Sequence, residues 1–212
     1  MPAATFPTAI GDCTIAWSDR GLTGFALPAT PRFPSTSVLS GAAREGSDPS
    51  GPAIRSVARE RNDPSGVPAA PAAYRSGARN AAREAAGRPH IPPALATIIA
   101  RVQRHLAGDL QDFADLAYDW SRVTEFQSRV LRAVLAIKPG RTATYGDLAR
   151  ALGAKPGAAR AIGGAVGANP WPLLIPCHRI LGASGKLTGY SAPGGVATKS
   201  ALLVLEGVEL AS

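Results

Sequence analysis

The stretch Leu173-Leu174-Ile175-Pro176-Cys177-His178-Arg179-Ile180-Leu181 sets a thiol, an imidazole and a guanidinium side by side inside an otherwise apolar run. The aliphatic residues on either side read as short buried strands, so Pro-Cys-His-Arg interrupts a core element at a fixed bend. A cysteine held there is a candidate nucleophile. Its thiolate is the reactive form, and a free cysteine with a pKa of about 8.5 needs a base or a positive charge beside it to react near neutrality. His178 and Arg179 supply both kinds of neighbour. A buried cysteine that serves only packing is the alternative at this point.

Composition bounds the context. At 212 residues with 45% hydrophobic content, the chain has room for one large domain or two small ones around an ample core. No stretch reaches the roughly 18 uninterrupted apolar residues of a membrane span. The N-terminus lacks a basic segment followed by an apolar one, so no secretory signal is expected. Cys13 and Cys177 are too few for a disulfide framework or a cysteine-based zinc site, and a reduced cytoplasmic setting suits a reactive thiol. The formal charge is +8, and residues 120–190 carry all of that excess, with ten Lys or Arg against Glu125 and Asp147. Charge gathered around the cysteine segment points to a polyanionic partner. Nucleic acid is favoured over membrane because no basic amphipathic helix with an aromatic face accompanies it; a generic basic surface is the other reading.

Along the chain, Cys13 to Trp17 and Leu22 to Leu27 are apolar runs separated by the turn signal Ser18-Asp19-Arg20-Gly21, which predicts a β-hairpin with Cys13 in the core. From about Ala29 to His90 the composition changes to Pro, Ala, Gly, Ser and Arg. Such a tract buries too little apolar surface to offset its ordering entropy. Arg44-Glu45-Gly46-Ser47-Asp48-Pro49-Ser50-Gly51 returns as Arg59-Glu60-Arg61-Asn62-Asp63-Pro64-Ser65-Gly66, so the tract reads as an expanded flexible insert and not a solenoid. Order resumes at Ile91. Leu95, Ile98, Ile99, Val102 and Leu106 recur at helical spacing behind Pro92 and Pro93. Thr124 to Gln127 is a capping pattern that opens a second helix, with Phe126, Val130, Leu131, Val134 and Leu135 inward.

Thr144-Tyr145-Gly146-Asp147 caps a third helix with Leu148 and Leu152 buried, ended by Gly153. After a turn at Lys155-Pro156-Gly157, a fourth helix runs from Ala158 to Gly167. Two short helices joined this way form a helix-turn-helix, a unit used on DNA. The second is lined with Ala and Gly, which lets its backbone approach a partner, and Arg160 lies in its first turn. Tight packing against another helix is the alternative. Asn169-Pro170-Trp171-Pro172 is a stiff turn into the cysteine segment, and a last helix spans about Val196 to Glu206 with Leu202, Leu203 and Leu205 inward.

The blocks Thr144-Tyr145-Gly146, Ala159-Arg160-Ala161-Ile162-Gly163, Asn169-Pro170, Pro176-Cys177-His178-Arg179, Gly189-Tyr190-Ser191 and Lys199 through Leu202-Leu203 to Glu206-Gly207 resemble, in order and spacing, the O6-alkylguanine-DNA alkyltransferases. The resemblance spans about residues 119–210. It implies an α+β protein: a small N-terminal α/β domain over 1–118, RNase H-like and interrupted by the insert at 29–90, then a mostly helical winged-helix or helix-turn-helix-like catalytic domain over 119–212. It implies a monomer acting on double-stranded DNA containing O6-alkylguanine, with O4-alkylthymine left open, and requiring no cofactor and no metal.

The implied roles are specific. Cys177 attacks the alkyl carbon on guanine O6 and keeps the group as a thioether, once per chain. His178 takes the thiol proton through a water, oriented by Glu206. Tyr190 donates toward the departing guanine, Ser191 hydrogen-bonds near O6, and Asn169 braces the turn before the cysteine. A buried thiol cannot reach a base edge in an intact duplex, so the nucleotide is flipped out at a cost of a few kcal/mol. Tyr145 crowds the target phosphate, Arg160 enters the gap left by the base, and Arg179 joins the DNA-binding set. The loop Ser191 to Gly195 is longer than in compact members, the insert has no counterpart, and there is no cysteine cluster for the zinc or methyl-sensor sites of some relatives. Two other classes remain to be separated. A lesion binder without chemistry lacks the reactive cysteine, and a winged-helix regulator has no need of Cys177, His178 and Glu206 together. A cysteine hydrolase fits less well, since no oxyanion loop is evident.

Overall fold

A computed structural model describes residues 1–33, 91–155 and 157–210. The N-terminal strands β1 (Ala3–Thr8), β2 (Gly11–Ser18) and β3 (Gly21–Ala26) form an antiparallel meander in that order. Strict alternation along β2 buries Cys13, Ile15 and Trp17 on one face, as the period of two requires. The expected hairpin is therefore present, and β1 is added to it. Pro7 masks that strand in the sequence, but β1 lies at the sheet edge, where a missing N–H costs no ladder bond. At the β2–β3 turn Gly21 has φ +134, and a Cβ there would meet the Ala117 carbonyl oxygen at 2.5 Å. Only glycine lets segment 117–119 dock on β3, where Leu22 N donates to Ala117 O and Asp119 N donates to Leu22 O, each at 2.8 Å. Of the insert expected at 29–90, residues 34–90, including both copies of the repeat, lie outside the described residues.

Helix α1 (Pro93–Leu106) buries Leu95, Ile98, Ile99, Val102 and Leu106 as the spacing predicts, and His105 with them. In α2 (Glu125–Leu135) the Thr124 hydroxyl accepts from Gln127 N, the first half of a capping box. The second half is replaced: the Gln127 amide donates to Ala168 O at 2.8 Å. Phe126 departs from expectation. It is 44% exposed, because it sits one turn ahead of buried Val130, past the core's edge, in a shallow cleft with Leu152 and Lys155.

The two-residue strands β4 (Ala143–Thr144) and β5 (Ile180–Leu181) pair in parallel. Between them run α3 (Tyr145–Ala151), opened by a complete Thr144/Asp147 capping box, and α4 (Ala159–Gly167), which packs on α2 and α3. Ile180 and Leu181 form the strand expected after the cysteine, but Leu173 to Ile175 do not form the one expected before it. They are fully buried, yet Pro172 bridges back to Ile175 and Leu173–Leu174 is a turn with Leu173 at φ +75. Two prolines bracketing three residues leave no run long enough for a ladder, and apolar content alone does not separate buried strand from buried turn. A left-handed leucine costs about 1–3 kcal/mol and persists where its surroundings over-determine it, here at the entry to the cysteine turn. The chain closes with α5 (Gly195–Leu205), capped by Glu206. The architecture is α+β, and side chains from the sheet, α1 and all later helices belong to one hydrophobic cluster. At its centre Trp171 is fully buried, edge-on to Tyr118 and Trp120, with its indole N–H donating to Leu22 O at 2.9 Å.

Candidate active site

The cysteine is held by a tight local turn. Pro176 at φ −80, ψ 63 and a 2.8 Å bond from Cys177 N to Ile175 O make an inverse γ-turn, the fixed bend expected from the sequence. Cys177, His178 and Arg179 then form one buried 3₁₀ turn. Asn169 clips this bend from the end of α4. Its amide donates to Ile175 O at 2.9 Å and to Cys177 Sγ at 3.2 Å, while its Oδ1 accepts from Trp171 N at 3.0 Å. The brace assigned to Asn169 thus touches the sulfur itself.

Behind the thiol lies Glu206, 3% exposed at the end of α5. Its Oε1 is 3.0 Å from His178 Nε2 and accepts from Arg179 Nη2 at 2.7 Å; its Oε2 accepts from Arg179 Nε at 2.8 Å and from Gly140 N at 3.4 Å. Burial on its own would raise the Glu206 carboxyl, but His178, His105 and Arg179 hold it well below the usual carboxylate range. An ionised Glu206 makes His178 Nε2 the donor, which leaves Nδ1 as the free lone pair. That Nδ1 is buried and has no hydrogen-bond partner among the described residues. Burial lowers the His178 pKa against the opposing pull of Glu206, so the ring is a neutral base at pH 7.

Arg179 does not reach the DNA-facing surface to which the resemblance assigned it. It is 3% exposed, forked onto Glu206, with Nη1 donating to Ile137 O at 2.5 Å. A bidentate arginine–carboxylate pair is the arrangement that makes a buried charge tolerable. Its work is to hold Glu206.

Cys177 is buried, and burial pushes its thiol up, with the Asn169 bond and the Lys199 charge pulling the other way. The resting group is a thiol that needs a base. Lys199 is fully buried on α5, its ammonium donating to Ile180 O at 2.5 Å and Thr188 O at 3.3 Å, and burial lowers its pKa. Among the described residues the buried Tyr190 hydroxyl has no well-formed hydrogen bond; burial and the neighbouring Cys177 raise its pKa well above the phenol range. It is a protonated donor awaiting an acceptor. A cleft of about 340 Å³ opens over the sulfur, lined by Tyr145, Gly163, Val166, Cys177, Tyr190 and Ser191 among others. That volume suits a flat heterocycle. Gly163 lines the same cleft, where a Cβ would make only ordinary van der Waals contact with the Tyr145 ring at 3.8 Å.

The structure therefore gathers Cys177, Tyr145, Tyr190 and Ser191 around one cleft, with Asn169, His178 and Glu206 behind it. Arg160 is exposed on the first turn of α4, with Arg122, Arg129, Lys155 and Lys186 also at the surface. Two groups join the site without a role expected from the sequence. Lys199 stands in one of the resembling blocks, and a lysine between apolar positions of a buried helix is the available signal. His105 falls on the buried stripe of α1, a polar residue where the period demands an apolar one. Among the described residues no group of His, Cys, Asp and Glu is arranged to hold a metal ion, and no helix is long and apolar enough to cross a membrane.

Residues 125–208 match the family described as 6-O-methylguanine DNA methyltransferase, DNA binding domain. A methylated-DNA–protein-cysteine methyltransferase of Mycobacterium tuberculosis is 49% identical over 115 residues, which cover 54% of this chain and 67% of that protein. One from Methanothermobacter thermautotrophicus is 40% identical over 119 residues, 56% of this chain and 65% of that protein. A crystal structure of Mycobacterium tuberculosis OGT in complex with DNA is similar with a TM-score of 0.60 and 32% identity over 97% of this chain and 92% of that one. The O6-methylguanine-DNA methyltransferase of Pyrococcus kodakaraensis strain KOD1, at 20% identity and a TM-score of 0.55, shares the fold. Similarity at this level, running through the buried Pro-Cys-His-Arg turn and on to the glutamate behind it, makes the chain a member of the methylated-DNA–protein-cysteine methyltransferase family.

Proposed function

We propose that this protein repairs O6-alkylguanine in double-stranded DNA by moving the alkyl group irreversibly onto Cys177. The observation that carries this reading is a buried thiol opening onto a cleft and backed by a neutral histidine on an ionised glutamate. The thiol proton passes to His178 through a water, and the sulfur attacks the alkyl carbon. A carbon–sulfur bond forms as the carbon–O6 bond breaks, and the electron pair stays on the guanine. Tyr190 donates to that departing base, and Ser191 stabilises charge near O6. A thioether is stable to water near neutral pH, so each chain acts once. Arg179 supports the relay through Glu206 and does not touch DNA.

Reaching the buried sulfur requires the base to leave the stack. Tyr145 at the cleft presses on the target phosphate and Arg160 fills the vacated position from α4, whose Ala and Gly surface reads little sequence. The protein acts as a monomer on DNA in a reducing cytoplasmic setting. The segments on either side of the insert, up to residue 118, make the supporting α/β unit, RNase H-like in type, and the winged-helix or helix-turn-helix-like catalytic unit begins at 119. O4-alkylthymine carries the same ether carbon and is the second substrate to test. The direct test uses duplex DNA with a radiolabelled methyl on guanine O6: label appearing on the protein, stable to denaturation and saturating at one equivalent, supports the reading. Label remaining on DNA refutes it.

A further inference from the structure

We propose that His105, on α1 and outside the 125–208 family match, is a positioning residue for the alkyl transfer, set against the same Glu206 oxygen that holds His178. This rests on the reading that Cys177 is the acceptor and His178 its base.

The geometry fixes the tautomer. His105 is fully buried, and its Nδ1 accepts the backbone N–H of Gln111 at 3.0 Å, which places the proton on Nε2. Nε2 lies 3.3 Å from Glu206 Oε1, offset from the line of a good hydrogen bond. The ring is pinned by Phe113, with centroids 5.4 Å apart. Oε1 already receives Arg179 and His178 at shorter range, so His105 brings a third N–H close to one oxygen without completing a hydrogen bond to it. Its N–H dipole supports the anion without taking a lone pair from His178. An isolated core histidine needs no carboxylate, and here the ring is aimed at the one carboxylate the reaction uses.

The consequence is a defined sign. The groups facing Glu206 are His178, Arg179 and His105 together with Gly140 N, and those facing Cys177 are Lys199, Tyr190 and Asn169. Removing the His105 donor leaves the Glu206 charge less compensated, so an imidazolium at His178 is stabilised. His178 then becomes a neutral base only at higher pH, and the acid limb of the alkylation rate moves up.

The test compares wild type, His105→Phe, which keeps the ring shape without a donor, and His105→Gln, whose amide nitrogen reaches the Nε2 position. Single-turnover methylation of Cys177 from an O6-methylguanine duplex is followed across the acid limb, with affinity for the same duplex measured in parallel. The Phe variant is expected to be slower on the limb by about threefold to tenfold, the yield of losing one close N–H dipole beside the carboxylate. Its acid limb moves up, its DNA affinity is unchanged, and the Gln variant recovers most of the rate. A Phe variant with the wild-type rate and limb, or Phe and Gln variants slowed alike with an unmoved limb, overturns the proposal and makes His105 a packing residue. Nitrogen chemical shifts of the imidazoles in unmodified protein provide a check independent of variant folding: a proton on Nδ1 of His105 overturns it. Failure of wild type to methylate Cys177 at all would instead refute the reading on which it rests.

Discussion

His178 Nε2 and Glu206 Oε1 are 3.0 Å apart with both side chains sealed from solvent. The contact sets the ring so that its other nitrogen is free, and Arg179 on the same carboxylate supplies the compensating charge. Glu206→Gln breaks both relationships at once, leaving a buried guanidinium without its anion. The expected loss is about 3–5 kcal/mol of folding stability. Alkylation in the protein that remains folded should slow by roughly 100-fold or more, the usual share of a positioned base. Denaturant titration and single-turnover rates check the two parts separately.

Acid should weaken this fold through the same groups. Glu206 titrates well below the carboxylate range in the folded chain, so the unfolded chain takes up that proton first as pH drops past about 4.3. His178 is also lowered by burial, and the unfolded chain begins to outbid it below about 6.5. Both contributions are fully present above those values and are lost on acidification. Thermal melts should therefore fall progressively below about pH 6.5, with a second decline below about 4.3. A melting temperature that is flat across both ranges would contradict the burial of these two groups.

Asn169 bonds the reactive sulfur, the carbonyl before it and the backbone that enters the turn. Asn169→Ala should lower stability by about 1–3 kcal/mol through the unpaired groups it leaves. It should also slow alkylation, since the thiol loses a donor that favours its ionised form. Reaction of Cys177 with iodoacetamide across the alkaline range reads this directly: the midpoint moves up relative to wild type.

Much of this architecture is legible in the amino-acid sequence alone. The helices α1, α2 and α3 and the caps at Thr124 and Thr144 follow from local signals that tertiary packing overrides at Phe126, while the gathering of Tyr145, Cys177, Tyr190 and Ser191 is what the family resemblance implies. The exceptions have physical causes. β1 is hidden by Pro7, which only an edge position admits. Leu173 to Ile175 read as strand because burial is legible and backbone direction is not. Arg179 reads as a DNA contact because a cation in a basic segment carries no mark of the carboxylate, 27 residues further on, that claims it. His105 meets Glu206 only through the docking of α1, a contact across about half the chain with no local trace.

Arg160 is exposed on the first turn of α4, and the role proposed for it is extrusion of the base, not chemistry on it. Arg160→Ala should then slow repair of a duplex by about tenfold or more, a fraction of the few kcal/mol that unstacking costs. The same lesion in a single strand, where no partner must be replaced, should be repaired with much less change. Equal slowing on both substrates would place Arg160 in general DNA binding.

Alkyl transfer to Cys177 is tested most directly by the intact mass of the protein after reaction with duplex DNA bearing O6-methylguanine, alongside Cys177→Ser. Wild type is expected to gain the mass of one methyl group and no more, with the gain mapping to the peptide that contains Cys177. Cys177→Ser should gain nothing while still binding the duplex. Folded, reduced wild type that binds the lesion with no change in mass would contradict this chemistry, leaving a lesion binder with Cys177 as part of its core.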